Sequence, residues 1–217
     1  VVVMVGKSKH KFYIHEALLR SNSGFFDAAL KKEWAEGQDR IVKLPDKDPE
    51  IFKIWMKWIY TGRLFIVKQD DIQRYKDKLI ISREWARWRK MFELADFLQD
   101  FDCKDAAIDA LIEAMVVRNA SPRYLPTCIY PHSTKHSAHR RLTVDLFVKA
   151  TDREFFAISI ENQPQEFIID VMSSIGLFLS NGIEGISLKE FFAGETCKYH
   201  DHGPDKPCYK TKPAFRS

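Results

Sequence analysis

The stretch HKFYIHEALLRSNSGFF, residues 10–26, changes character three times. It opens as an alternation with Phe12 and Ile14 on one side, the period of a half-buried strand. Glu16 then starts a short helix carrying Leu18 and Leu19. Ser23 follows a polar knot and is suited to cap a second helix from Gly24 to Leu30, its hydroxyl taking a free amide at the helix start. His15 stands at the junction of strand and helix. A catalytic histidine needs a nucleophile and an orienting acid beside it. No G-x-S-x-G elbow occurs and no cysteine is near in sequence. His15 is therefore expected to be structural, its ring hydrogen-bonded at the junction.

Upstream, VVVMV (1–5) reads as a buried strand, stopped by Gly6, and GKSKH (6–10) as the hairpin turn. The chain is expected to begin inside a strand, with sequence missing before it. GKS resembles the end of a phosphate loop, but that loop needs a glycine where Val1 stands. Downstream, Gly37 closes the two-helix unit and RIVKL (40–44) is a short strand ended by Pro45. DPEIFKIWMKWIYTGRL (48–64) is the cleanest helix. Asp48 caps it, Pro49 takes its first position, and Ile51, Ile54, Trp55, Trp58 and Ile59 recur at helical spacing. Gly62 stops it.

Residues 66–80 are heavily charged and read as an exposed insertion, helical in part. Ile81, Trp85, Trp88, Phe92 and Ala95 form one stripe of a long helix. Asp102 with Asp105 resembles a capping arrangement for a last helix, whose apolar face is Ile108, Leu111, Ile112 and Met115. Residues 118–141 hold three prolines among Ser, Thr and His residues and read as a linker. Helical patterns follow at Leu142–Lys149, Glu154–Ile160 and Pro164–Ile175. The expected organisation is a domain at 1–118 with the insertion 66–80, a linker at 119–141, a helical extension at 142–193 and a Cys/His tail at 194–217.

The 217 residues suit a medium domain with an appendage, long enough to bury a core without disulfides. A formal charge of +4 is mild, and the RWRK (87–90) and HRR (139–141) clusters fall short of a nucleic-acid footprint, so nucleic acid is not an expected partner. Four cysteines are too few for a secreted disulfide framework. No apolar run approaches a bilayer span. The expected class is an intracellular protein, cytoplasmic or nuclear.

Two histidine-bearing stretches raise the question of metal. His132, His136 and His139 form H-x3-H-x2-H, but the H-E-x-x-H glutamate is absent and Pro131 precedes them. A solvated loop is the plainer reading. The tail differs: Cys197, His200, His202 and Cys208 give C-x2-H-x-H-x5-C, with Gly203, Pro204 and Pro207 to turn the chain. These are zinc's ligand types in zinc's number, at unusually tight spacing. An exposed tail or a Cys197–Cys208 disulfide remains open beside a structural zinc loop. No general base or oriented nucleophile stands near, so an enzyme is not expected.

Three ordered stretches are similar to the BTB/POZ domain: FYIHEALLRSNSGFF, LPDKDPEIFKIWMKWIYTGRL with its Tyr-Thr-Gly helix end, and ELADFLQDFDCKDAAIDAL. Together they cover most of residues 1–118, and KEWAEGQDRIVKLPDKDPEIF further resembles fungal BTB-domain proteins. The resemblance implies an α+β fold, a short sheet with a surrounding helical cluster, here followed by a helical C-terminal extension. It implies protein–protein contact rather than catalysis, with no small-molecule substrate. Self-association and service as a substrate adaptor for a cullin-3 ubiquitin ligase are the family's known uses. The given residues depart from that pattern: they do not contain the family's dimer-forming N-terminal helix or the acidic residue just before the first strand, and RLFIVKQDD lacks the aliphatic-x-Glu element of cullin-3 binders. The alternative reading is a transcription or chromatin regulator with a small zinc-binding tail.

Overall fold

A computed structural model describes residues 1–31, 33–67, 78–150, 162–178, 187–202 and 206–213, with the backbone alone at 78–80 and 176–178. The chain divides into two compact units: Val1–Ala110 with Pro204–Ser217, and Leu111–Gly203.

The first unit is built on a three-stranded sheet in the order β2-β1-β3. β1 (Val2–Val5) pairs antiparallel with β2 (His10–Tyr13) and parallel with β3 (Ile41–Leu44). A parallel partner cannot be reached by a tight turn. The crossover is made by α1 (Glu16–Asn22), α2 (Gly24–Ala29) and α3 (Ala35–Asp39). Gly6 ends β1 at φ 76°, a conformation glycine adopts without strain, and the amide of Lys9 closes the turn onto its carbonyl. Val3 and Val5 are buried, as the run VVVMV implied.

The expected signals act as the sequence suggests. The Ser23 hydroxyl accepts from the amide of Phe26 at 3.2 Å and itself donates to the carbonyl of Leu98 at 2.5 Å. One side chain thereby caps α2 and ties it to a helix 75 residues later. α4 (Pro49–Thr61) starts on Asp48, whose carboxylate takes the Glu50 amide at 2.9 Å, and ends on Gly62 at φ 67°. Its buried face, Ile51, Phe52, Trp55, Trp58 and Ile59, packs under α5 (Lys78–Phe97). Trp85, Trp88, Phe92 and Ala95 of the predicted α5 stripe are buried. Trp55 lies between the rings of Phe26 and Phe52, at 5.6 and 5.4 Å between centroids.

α6 (Phe101–Arg118) follows a three-residue break, and its cap differs from the expected one. Asp100, not Asp102, accepts from the amide of Cys103 at 2.9 Å. Asp100 stands one residue before the helix, where an N-cap carboxylate reaches the third amide. Asp100 is buried and also receives the Trp55 indole N–H at 2.9 Å.

The insertion expected at 66–80 is described only at its edges, and 68–77 lie outside the described residues. Ile66 at its start is buried rather than exposed, because it enters the cleft between α4 and α5. The helix expected at 154–160 also lies outside the described residues.

The second unit contains α7 (Leu125–Ile129), α8 (Ala138–Lys149), α9 (Gln165–Phe178) and α10 (Leu188–Phe191). Its core is Tyr130, Val144, Phe147, Val148, Phe167 and Val171. The stretch read as a linker thus carries α7 and the start of α8. Its prolines do not break these elements, because Pro126 sits in the first turn of α7, where a missing N–H costs nothing. Arg140, of the basic HRR cluster, is buried. Its guanidinium donates to Ser133, to the Tyr130 carbonyl and to Glu166. No helix among the described residues is long and apolar enough to cross a membrane.

Candidate functional site

Three features of the described residues carry chemistry that the core does not consume. The first is the Cys/His segment of the second unit. A 3-10 turn at Thr196–Tyr199 leads into extended backbone at His200. This geometry brings the ligand atoms of Cys197, His200 and His202 within 4.8 Å of one another, with the Cys197 sulfur 3.1 Å from Nε2 of His202. His200 is buried and Cys197 is part-exposed. Cys208, the fourth ligand type of the sequence pattern, follows six residues after His202 and belongs to the first unit. None of the four cysteines forms a disulfide. His132 and His136 are not brought into such a group, and His136 has φ 67°. His139 is fully buried beside Asp201, at 3.1 Å from its Nδ1.

The second feature belongs to the first unit. Residues 206–213 lie on α4 and α6. The Tyr209 ring meets Trp58 edge-on at 5.8 Å, and its hydroxyl donates to Asp109 at 2.5 Å. Lys210 pairs with Asp109 at 2.9 Å, and Lys212 with Asp102. Burial, then the Asp109 hydrogen bond and charge, push the Tyr209 phenol far up, so it stays the donor. Sequence reading missed this strap. Its only signal was one aromatic among lysines in a segment read for its metal ligands.

The third feature is a cleft of about 540 Å³ between α4, the 65–67 segment and α5. Ile51, Ile54, Phe65 and Ile66 make its apolar wall, and Lys53, Lys57, Arg87 and Lys90 stand around it together with the carboxylates of Asp48 and Glu50. Lys90 is held by Asp48 at 2.8 Å, whereas Lys57 lies over the ring of Phe65, itself half-exposed. The RWRK cluster is thereby divided: Trp88 is core, Arg89 faces Glu93 and Lys90 faces Asp48.

His15 shows no such potential. Its Nδ1 lies 2.7 Å from the Tyr60 hydroxyl, which also accepts from the His15 amide at 3.3 Å. The ring ties the start of α1 to the Tyr-Thr-Gly end of α4.

These contacts join two of the three stretches on which the sequence resemblance rested. The sequence profile of the BTB/POZ domain matches residues 1–113, over half of the chain. The chain belongs to the BTB/POZ family. BTB/POZ domains are protein-interaction modules. Mouse relatives include TD and POZ domain-containing protein 4, 38% identical over 55 residues, and TD and POZ domain-containing protein 1-like, 35% identical over 54. Each match covers 25% of this chain and 15% of the relative, so the chain spans a small part of those proteins' length. The BTB/POZ match takes in the sheet, α1 to α5 and most of α6, and with them the cleft and the face that the strap covers.

Proposed function

We propose that this chain is a scaffold or adaptor of the fungal BTB type that receives partner proteins through its BTB/POZ unit, and that it serves as a substrate adaptor for a cullin-3 ubiquitin ligase. The cleft between α4 and α5 carries this reading. It offers a half-exposed aromatic, an apolar wall and a charged rim in which Lys53, Lys57 and Arg87 outnumber Glu50 beside the Asp48–Lys90 pair, the make-up of a surface that buries a partner's apolar side chain within a polar rim. The proposed organisation keeps the BTB/POZ unit at 1–118, a connecting stretch at 119–141, a helical extension at 142–193 and the tail at 194–217, in an intracellular protein without catalytic activity. The test is capture of the amino-terminal part of cullin-3 by the full chain. Micromolar binding is expected, and Phe65→Ala should weaken it about tenfold, the loss typical of a hot-spot aromatic. Absence of binding at tens of micromolar would remove the ligase role and leave the interaction module.

A second reading is favoured by the Cys/His segment. Cys197, His200, His202 and Cys208 hold a structural zinc, and the tail is the zinc element of a transcription or chromatin regulator. Two thiolates and two imidazoles are the donor set of a closed tetrahedral site. The purified chain is expected to carry one zinc and to lose tail structure in chelator. A chain without stoichiometric zinc, equally stable with chelator present, would overturn it.

A further inference from the structure

Extended backbone at His200 sends successive side chains to opposite sides. His200 and His202 therefore share a side, their rings 5.9 Å apart, and Asp201 between them is turned the other way. There it meets the start of α8. One carboxylate oxygen accepts from the amide of Ala138 at 2.5 Å, and the other lies 3.1 Å from Nδ1 of the buried His139. Ser137, the local cap of α8, takes the amide of Arg140 instead. Two orphan amides of one helix end are thus satisfied by two acceptors, one of them 63 residues away. Two further ties hold the same segment: Arg141 donates to the Lys198 carbonyl at 3.1 Å, and the Tyr199 hydroxyl to Asp145 at 3.3 Å.

We propose that Asp201 is the positioning residue of the metal segment: by seating on α8 it fixes the turn that presents Cys197, His200 and His202 before an ion arrives. The proposal rests on reading that segment as a zinc site. A pre-seated turn loses less conformational freedom on binding than a loose one, so the ion's affinity depends on a residue that does not touch it. Groups behind metal ligands act on this scale, about 10–100-fold in affinity.

The experiment is titration of the full, chelator-stripped chain with cobalt, read by its thiolate and d–d absorption bands, followed by zinc competition. Asp201→Asn should weaken zinc binding about tenfold or more while helical circular dichroism is retained. Arg141→Ala changes an exposed contact and serves if Asp201→Asn does not fold; about a threefold loss is expected. Ser137→Ala removes the local cap and lowers thermal stability, but should leave zinc affinity within about twofold, because it does not touch the segment. A wild-type chain that takes up no cobalt overturns the zinc reading and this inference with it. A wild-type chain that binds, with Asp201→Asn and Arg141→Ala binding equally well, overturns this inference alone. So does Ser137→Ala weakening zinc as much as Asp201→Asn, which would make the effect one of helix stability.

Discussion

Trp55→Ala is expected to cost the first unit about 4–5 kcal/mol, enough to unfold most domains of marginal stability. Trp55 is fully buried between Phe26 of α2 and Phe52 of α4, so truncation opens a cavity that aromatic rings on two elements cannot close. It also takes the indole N–H away from the Asp100 carboxylate, a buried acceptor that caps α6. Trp55→Phe separates the two effects: it keeps most of the ring volume and loses the hydrogen bond, for about 1–3 kcal/mol. All five tryptophans lie within residues 34–88, so urea unfolding followed by tryptophan fluorescence reports on this unit. A Trp55→Ala midpoint corresponding to a loss under about 1 kcal/mol would show that α2 and α4 do not share a packed core.

The second large effect is a loss of folding stability as pH rises from about 4 to about 7. Burial raises the Asp100 carboxyl from its ordinary 3.8 to about 7. Hydrogen bonds from the Cys103 amide and Trp55 oppose that rise, and the charge of Asp102 adds to it. An acid whose pKa is higher folded than unfolded binds its proton more tightly in the native state. Its contribution to stability is complete below the unfolded value, shrinks through the interval and is gone above the folded value. Three pKa units correspond to roughly 4 kcal/mol. Asp100→Asn removes the titration, so its stability should change little between pH 5 and 8 while the wild-type protein weakens. The slope against pH is the measurement, since the amide also changes the hydrogen bonding at this site. Parallel pH profiles for the two proteins would assign the effect elsewhere.

The first unit was legible because its rules are local. Asp48-Pro49 and Gly62 bracket α4, Ser23 caps α2, and the α5 stripe repeats at helical spacing, each readable within a few residues. The cap of α6 was misplaced by two residues because aspartates stand at 100, 102 and 105, and periodicity alone does not choose among them. The choice falls on the one that Trp55, 45 residues away, can reach. The connecting stretch misled for a similar reason. Pro126 and Pro131 read as breakers, yet both stand at starts of turns, where proline is tolerated. At the tail, ligand types and spacing were visible in the sequence. The seating of Asp201 on α8 and the strap of Tyr209 were not, since each depends on a partner about 60 to 100 residues distant.

The strap also sets an order of events during synthesis. Residues 1–110 leave the ribosome as an almost finished unit, but Tyr209, Lys210 and Lys212 follow only after the second unit has been made. At about 5–20 residues per second, that interval lasts roughly five to twenty seconds. Throughout it the edge of Trp58 and the carboxylates of Asp102 and Asp109 await their covering residues. A nascent chain of this protein therefore offers chaperones an aromatic-and-acidic face that the completed chain has covered.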